Sequence, residues 1–503
     1  MLNFIIKKSL NIYLKDIILF KQEPFDTQQE VFNSLIKNAI DTEWGKSYNY
    51  SKIVNIDNYQ EIVPISDYED IRPYIERMMK GEKNILWNSP INWFSKSSGT
   101  TGGRSKLVPV SQEALDKCHY QGGKQMLALY CNIYPNARIF TGKSLALGGS
   151  LYPNLEMKNS YYGDVSSIIM KNLPFWAEWF RSPDMQTALM EKWEDKLEKI
   201  ARITMNQDIT SISGVPSWML LLLKKICEIK SCSNIFEIWQ NFEVFFHGGV
   251  CFAPYKEQYA EIIPSDKFHY METYNASEGY FGIQDTIEKE MLLLLNNGIF
   301  YEFIPVNAMG EFKGEAIWLK DVKENTNYAL IISTNAGLWR YKIGDTIRFT
   351  STNPHRFVIT GRTRNFINAF GEEVIEENAT KALEIACLKT NAVLTEYTAA
   401  PVFLQNGKNA CHEWLIEFNK EPNDLNLFTQ YLDESLREIN SDYDAKRSNN
   451  LLLHEPIIHI AANQTFYNWL AIKNRLGGQY KVPHLSNDRK IMDDIMSRKR
   501  ENC

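Results

Sequence analysis

The segment from Ser97 to Lys106, SSGTTGGRSK, has the clearest chemical character in this chain. It contains three glycines and five hydroxyl residues. Their free backbone N–H groups and hydroxyls can wrap an anion, and Arg104 and Lys106 can add positive charge. The Walker pattern G-x-x-x-x-G-K-[ST] cannot be aligned with it. Taken alone, the segment predicts a phosphate-binding loop and a mobile polar loop equally well.

Two further segments place glycine and polar groups after predicted strands. Gly248 and Gly249 follow an apolar run and would let a flat ligand approach the backbone, although a tight turn explains them as well. Glu278 lies in the sequence YNASEG, which follows the strand-like KFHYME. A carboxylate there can hold Mg²⁺, a hard cation that takes few carboxylates and several phosphate or water oxygens. A solvated loop glutamate is the alternative.

Two more segments lie near the end of the strand-rich region. Asp345 ends the sequence YKIGD, where its carboxylate could accept hydrogen bonds from two vicinal ribose hydroxyls or belong to an ordinary turn. Arg362 ends the sequence TGR, where it could reach a phosphate or a ribose, or lie solvated in a domain linker. Each of these signals is weak by itself.

Composition limits the classes of protein to which these segments can belong. The chain has 503 residues, is 44% hydrophobic and carries a formal charge of −6, which argues against general binding of nucleic acids. Its eight cysteines show neither a C-x-x-C pair nor zinc spacing, which predicts reduced thiols of a cytoplasmic protein. Charged residues interrupt the apolar stretch 1–20, which predicts an amphipathic helix packed on the body, with a membrane-surface helix as the alternative. No run approaches the ~20 apolar residues of a transmembrane segment.

Apolar periodicity predicts the elements that position the polar segments. The first 90 residues read mostly as helices, the clearest at 27–41, and Ser111 is a predicted N-cap of a helix to about Tyr130. Residues 242–360 are strand-rich. The remaining predicted elements are a helix at 374–388, strands at 391–398 and 414–418, a helix at 424–439, a strand at 457–461 and a helix at 464–473.

The pattern predicts an α/β protein of two domains. Residues 1–364 form a large N-terminal domain with mixed sheets and a β-rich subdomain. Residues 365–503 form a small, mobile α+β C-terminal domain. A hinge near Asn365 joins the two.

The order of the polar segments carries more information than any one of them. Together they resemble the motif set of the acyl-adenylate-forming superfamily, which includes firefly luciferase and acyl-CoA ligases. The chain is closer still to the acyl-acid amido synthetases, the family of the plant auxin- and jasmonate-conjugating enzymes and their shorter bacterial relatives. That resemblance spans nearly the whole chain and rests on TEWGKSY (42–48), RPYIERMMKGEKNILW (72–87), WFSKSSGTT (93–101) and LGGQYKVPHL (476–485).

The resemblance implies a role for each polar segment. It implies that ATP is bound by Ser97, Ser98, Gly99, Thr100, Thr101, Lys106, Gly248, Gly249, Tyr274, Ser277, Asp345 and Arg362. Among these, the residues at 97–101 would surround the phosphates, Tyr274 would pack on adenine and Asp345 would bind the ribose. Glu278 would bind Mg²⁺ and act in catalysis. Lys481 would be the catalytic lysine that the small domain brings to the reacting carboxylate. Asn365 replaces a frequent hinge aspartate, and Lys342 replaces an arginine.

The implied activity is a ligase that adenylates a carboxylic acid with ATP and passes the acyl group to an amino acid. Two alternatives stay open at this point: an acyl-CoA ligase, and a non-catalytic protein that binds an acyl ligand or a nucleotide. The identity of the acid and of the amino acid, the general base and the oligomeric state do not follow from the sequence.

Overall fold

The computed structural model describes residues 2–101, 104–190, 192–250, 252, 255–287, 289–306, 312–362, 366–403, 410–450, 452–472 and 482–501. These residues fold into two compact units. One unit comprises Met1–Ser97 and Leu107–Thr363, and the other comprises Ser98–Lys106 and Arg364–Cys503.

The first 90 residues are helical, as predicted. Helices α1 to α5 span Leu2–Gln22, Pro24–Ala39, Glu43–Ser47, Ile56–Ile62 and Tyr68–Met79. Side-chain caps start two of them: Thr42 accepts a hydrogen bond from the Gly45 N–H, and Asn55 accepts one from the Asn58 N–H. Helix α2 buries an apolar face that includes Phe32 in the main core, which matches the amphipathic pattern at 27–41.

The chain from Trp93 to Arg362 is built on strands, of which β1 and β2 include residues that belong to the smaller unit. Strands β1 to β16 span Trp93–Thr101, Arg104–Val110, Lys143–Ala146, Leu151–Pro153, Tyr161–Gly163, Arg181–Ser182, Ile209–Gly214, Val244–His247, His269–Ala276, Gly279–Gln284, Met291–Leu293, Ile299–Pro305, Ile317–Trp318, Asn327–Thr334, Tyr341–Thr352 and His355–Arg362. Helices α6 to α12 span Gln112–Ala114, Tyr120–Ile133, Val165–Lys171, Met185–Ala188, Trp193–Thr204, Pro216–Lys230 and Lys256–Ile262.

Two sheets organise these strands among the described residues. The smaller has the order β2-β1-β5-β4, and the larger is a twelve-stranded sheet in the order β13-β12-β14-β15-β16-β11-β10-β9-β8-β7-β3-β6. The half from β9 to β6 is parallel, and the half from β9 to β13 is antiparallel. Strand β9 therefore joins an α/β half to a β-rich half.

Aromatic side chains fill the main core beneath the antiparallel half. Phe300, Phe303, Trp339 and Phe349 are all fully buried there. Burying one such side chain contributes about 1.5–3 kcal/mol, so this core is the main source of stability for the unit.

The smaller unit is an α+β fold. Its elements are β17 Phe366–Ile367, β18 Val374–Ile375, α13 Glu376–Thr390, β19 Val393–Val402, β20 Cys411–Lys420, α14 Leu425–Ile439, α15 Ser441–Arg447, β21 Ile457–Ala461, α16 Thr465–Ile472 and α17 Lys490–Glu501. Strands β19, β20 and β21 form a three-stranded sheet, and β17 pairs with β18 in a two-stranded sheet. The predicted fold class is confirmed, and in the smaller unit the periodicity missed only the short elements and α17. No helix of the described residues combines the length and apolar character needed to cross a membrane.

Candidate active site

The predicted phosphate loop is a hairpin whose strands extend further than the sequence suggested. Strand β1 continues to Thr101 and β2 begins at Arg104, so strand replaces most of the expected loop. Threonine favours extended backbone, which explains the difference. Gly102 and Gly103 lie outside the described residues. Strand β1 includes the backbone of Ser98, Gly99, Thr100 and Thr101. Ser97 and Lys106 are half-buried.

The root of this hairpin is firmly held. The ring of Trp93 stacks on Tyr161, with centroids 5.1 Å apart. After β2, the Ser111 hydroxyl accepts a hydrogen bond from the Ala114 N–H at 2.9 Å, which confirms the predicted N-cap. The helix that follows contains a π-turn over Leu115–His119 before α7 begins.

Glu278 lies in a tight turn that contacts the hairpin root. Ser277 and Glu278 connect β9 directly to β10. The Ser277 hydroxyl donates a hydrogen bond to the Lys96 carbonyl at 3.1 Å. The turn that carries the predicted Mg²⁺ ligand is thereby tied to β1 one residue before Ser97.

A magnesium site needs few protein carboxylates, and Glu278 could supply one. These residues contain no cluster of three or more histidine, cysteine, aspartate or glutamate side chains that could hold an ion. Mg²⁺ typically uses one or two carboxylates and takes its remaining ligands from substrate phosphates and water. The half-buried Glu278 fits that donor set.

Tyr274 and Asp345 meet at the centre of the large sheet. The Tyr274 hydroxyl donates a short hydrogen bond to the Asp345 carboxylate, and both residues are at least nine-tenths buried. The backbone of Arg362 lies opposite Asp345, on the neighbouring strand β16. The side chains of Tyr274 and Asp345, 71 positions apart in the chain, are therefore in contact, and Arg362, 17 positions after Asp345, lies on the strand next to it.

Asp345 is not at a turn, contrary to the sequence interpretation. Strand β15 runs through it to Thr352. The register against β14 shifts between Ala329 and Ile331, and Gly344 has φ of +99° in the bulged segment. A bulge re-aims the side chain that follows it, which explains how a residue inside a strand reaches Tyr274.

The paired glycines fit closely against strand β9. A Cβ on Gly248 would lie 2.2 Å from the Thr273 carbonyl oxygen, and Gly249 has φ of +85°. The Thr273 hydroxyl donates to the carbonyl of His247 at 3.2 Å. Glycine is required here by backbone packing, whether or not a ligand also approaches.

One supporting contact had no sequence signal. The Nδ1 of His119, in the π-turn, is 3.1 Å from Oδ1 of Asn275 in the YNASEG segment. Burial lowers the pKa of His119 to about 4, although the contact with Asn275 opposes this shift. The π-turn therefore presents a neutral imidazole that positions the segment before Glu278, and π-turns often occur at functional sites.

The predicted catalytic Lys481 lies outside the described residues. The chain just after it, in the smaller unit, is anchored on β19: the Ala399 N–H donates to the His484 carbonyl at 2.7 Å, and the Thr398 hydroxyl donates to the Pro483 carbonyl at 2.8 Å. The His484 ring hydrogen-bonds both Glu376 and Glu396.

Three family models match the chain in order. The GH3 family N-terminal domain matches residues 13–268, the GH3 family central domain matches 292–362, and the GH3 family C-terminal domain matches 377–490. The chain belongs to the GH3 family. The predicted family is confirmed.

Named relatives of this GH3 protein are amido synthetases and ligases. Indole-3-acetic acid-amido synthetase GH3.3 of Arabidopsis thaliana is 23% identical, over 94% of this chain and 91% of its own length. The 4-substituted benzoates-glutamate ligase GH3.12 of the same plant is 25% identical, over 63% of this chain and 65% of its own length.

Solved structures share the fold. The AtGH3.15 acyl acid amido synthetase in complex with 2,4-DB matches with a TM-score of 0.62 and 17% identity, over 98% of this chain and 96% of its own. A 2-hydroxyisobutyryl-CoA ligase with 2-HIB-AMP and CoA matches with a TM-score of 0.58 and 11% identity, over 96% and 93% of the two chains. The roles assigned to individual site residues stay predictions.

Proposed function

We propose that this GH3 protein is an ATP-dependent acyl-acid amido synthetase. The observation that carries the proposal is the contact between Ser277 and Lys96, because it brings the Glu278 turn to the root of the phosphate hairpin. Membership of a family whose named relatives join acids to amino acids supports the same reaction.

The reaction would proceed in two half-reactions. A carboxylate oxygen attacks the α-phosphorus of ATP, the bond to the β,γ-pyrophosphate breaks, and acyl-AMP forms. The amine of an amino acid then attacks the acyl carbon, AMP leaves, and the nitrogen loses a proton. Two anions must meet in the first step, so positioning and charge neutralisation make the main contribution to catalysis.

Each predicted site residue would have its own part in this reaction. Asp345, oriented by the Tyr274 hydroxyl, would accept hydrogen bonds from the ribose. The β1–β2 hairpin would hold the phosphates, and Gly248 and Gly249 would lie beside adenine and the acyl group. Glu278 would hold Mg²⁺, which would supply positive charge to the pyrophosphate leaving group.

Lys481 would supply positive charge at the α-phosphate. We further propose residues 1–364 and 365–503 as the functional domains. The small domain would rotate about a hinge near Asn365 between the two half-reactions.

Six of the cysteines lie in described positions and are free thiols, which supports a reducing, cytoplasmic location.

A pyrophosphate-release assay with Mg-ATP tests the proposal. Aryl and fatty acids would be crossed with a panel of amino acids, and products identified by mass spectrometry. We expect acid-dependent release and an amide product. Lys481→Ala and Glu278→Ala should each reduce kcat/KM by at least about 100-fold, corresponding to roughly 2.7 kcal/mol of transition-state stabilisation.

Matched controls keep the result specific. Lys490→Ala removes a lysine whose side chain is 88% exposed, and Glu261→Ala removes an exposed carboxylate on α12, so neither should change the rate. A thioester formed only with coenzyme A would replace the amide synthetase by an acyl-CoA ligase. ATP binding without pyrophosphate release for any acid would contradict both enzymes.

A further inference from the structure

A histidine–glutamate pair lies at the carboxyl end of the parallel strands, and its side chains have no hydrogen-bond partner among the described residues. His247 ends β8, and Glu272 is opposite it on β9. Among the described residues, neither side chain makes a hydrogen bond to protein, and Nδ1 of His247 is buried without a partner. The carboxyl ends of parallel strands are where α/β sheets bind ligands.

Both side chains face the same side of the sheet. Val244, Phe246 and Met271 belong to the main core on one face. Side chains alternate along a strand, so His247 and Glu272 are on the other face. Facing residues on neighbouring strands lie about 4.8 Å apart, which places the imidazole beside the carboxyl group.

Aromatic rings surround the pair on this face. The His247 ring stacks on Phe252, with centroids 4.3 Å apart and planes 22° apart. Phe252 in turn packs on Tyr270 at 5.0 Å and on Tyr259 of α12 at 5.3 Å. Phe252, Tyr270 and Glu272 are only half-buried, so this aromatic face stays open to solvent beside the pair.

The burial of Nδ1 of His247 determines which hydrogen bonds the pair can make with a ligand. His247 is 5% exposed, and burial lowers its pKa to about 4, so the ring is neutral at physiological pH. An N–H enclosed without an acceptor is costly, which favours the tautomer with the proton on Nε2. Burial also raises the pKa of Glu272, but its carboxyl group has an acceptor oxygen in either protonation state.

We propose that His247 and Glu272 recognise a hydroxyl group on an aryl acyl acid. One hydroxyl can accept a hydrogen bond from Nε2–H and donate one to the carboxyl group, so it satisfies both side chains at once. The flat rings around the pair suit an aromatic skeleton. This inference rests on the proposed function, because it takes the acyl acid as the ligand.

Equilibrium binding of matched acids tests the inference without requiring turnover. The probes are benzoates and phenylacetates that carry a hydroxyl or a methyl group at the same ring position, titrated calorimetrically into the full-length protein. We expect at least one hydroxylated acid to bind about tenfold more tightly than its methyl counterpart, because the methyl group leaves two polar groups unpaired.

Two variants should abolish this preference. His247→Phe keeps the stack on Phe252, and Glu272→Met keeps the side-chain length, so each should reduce the hydroxyl-to-methyl ratio to within about threefold. If one variant does not fold, the other carries the test. His269→Phe is the control: it makes the same change at the first residue of β9 and retains the ring stack on Tyr134 at 3.5 Å.

The outcomes separate this inference from the proposed function. Three results would overturn the inference. They are equal affinity within every pair of acids, a hydroxyl-to-methyl affinity ratio that neither variant changes, and no binding of any hydroxylated acid at millimolar concentration. Pyrophosphate release without hydroxyl preference would overturn it and leave the ligase reaction standing. Hydroxyl-selective binding that both variants abolish, without pyrophosphate release, would support the pair and contradict the ligase.

Discussion

Single side chains at the centre of the large sheet hold the proposed ribose ligand in place. Asp345 would be a costly buried carboxylate without hydrogen bonds, and the Tyr274 hydroxyl supplies one. The tyrosine packs on Phe281, with ring centroids 4.8 Å apart, which fixes its ring. Tyr274 thus positions Asp345.

Tyr274→Phe tests this arrangement. Loss of a hydrogen bond to a charged group costs about 1.5–3 kcal/mol, so we expect the KM for ATP to rise roughly 10- to 100-fold with a smaller change in kcat. Steady-state kinetics with varied ATP measures the effect. Tyr301→Phe is the control, since its buried hydroxyl donates to the Leu294 carbonyl instead. An unchanged KM for Tyr274→Phe would remove Asp345 from the ribose site.

Gly248 gives a second prediction at the scale of one residue. An added Cβ would meet the Thr273 carbonyl oxygen at 2.2 Å, and backbone would have to move. We expect Gly248→Ala to lower the free energy of unfolding by about 1–3 kcal/mol, measured by urea denaturation. Gly123→Ala in α7 meets nothing within 4 Å and should stabilise the protein by about 0.5–1 kcal/mol. An unchanged free energy of unfolding for Gly248→Ala would show that β8 and β9 separate easily.

At the scale of elements, the segment after Lys481 is held by charge as well as by backbone. Burial opposes protonation of His484, but the hydrogen bonds that its ring donates to the carboxylates of Glu376 and Glu396 outweigh burial and raise the pKa of His484 to about 9, from 6.5. A raised folded-state pKa stabilises the fold fully below pH 6.5. That contribution is lost as the pH rises through about 9.

His484→Gln should therefore matter most in neutral and acidic solution. We expect hydrogen exchange of the β19 peptides to be faster in the variant at pH 6 and the two proteins to converge above about pH 9, after correction for intrinsic exchange rates. Exchange of α4 peptides in the large unit serves as the internal control. A difference that is the same at every pH would assign the effect to packing rather than to the charge on His484.

At the scale of the whole molecule, one buried ion pair ties the N-terminal helices to the sheet. Arg340 bonds Glu302, with 2.9 Å between Nη2 and Oε1, and its Nη1 donates to the carbonyls of Gln60 and Val63 at 2.7 and 2.6 Å. Both charged side chains are almost completely buried. The contact joins chain positions that are 280 residues apart.

Arg340→Met should destabilise the protein by roughly 3–5 kcal/mol, because it leaves Glu302 buried without its cation. Urea denaturation measures this loss. Adding Glu302→Leu should restore much of it. Arg72→Met, which breaks an exposed pair with Glu69, should cost less than about 1 kcal/mol. Equal losses in the free energy of unfolding for Arg340→Met and Arg72→Met would show that burial does not make the Arg340 ion pair more important for stability.

Local signals explain which features of this fold could be predicted from the sequence. The N-terminal helices, the long β-rich strands and the core elements of the small unit follow from periodicity, and the order of the polar segments predicted the family. Strand β10 was missed because GYFGIQ is buried nearly throughout and shows no alternation. The Asp345 bulge and the contact of His119 with Asn275 depend on pairings between distant residues, which no local pattern reports.

The continuous sheet also determines where this chain can be recombined with a relative. The match to the N-terminal family domain ends at 268 and the match to the central domain begins at 292, yet β9 and β10 lie between them and pair on both sides. A crossover at 268 would join β8 of one parent to β9 of another and require Gly248 to fit a foreign strand. A chimaera that inherits residues 209–362 as one block keeps every strand pair from β7 to β13 native.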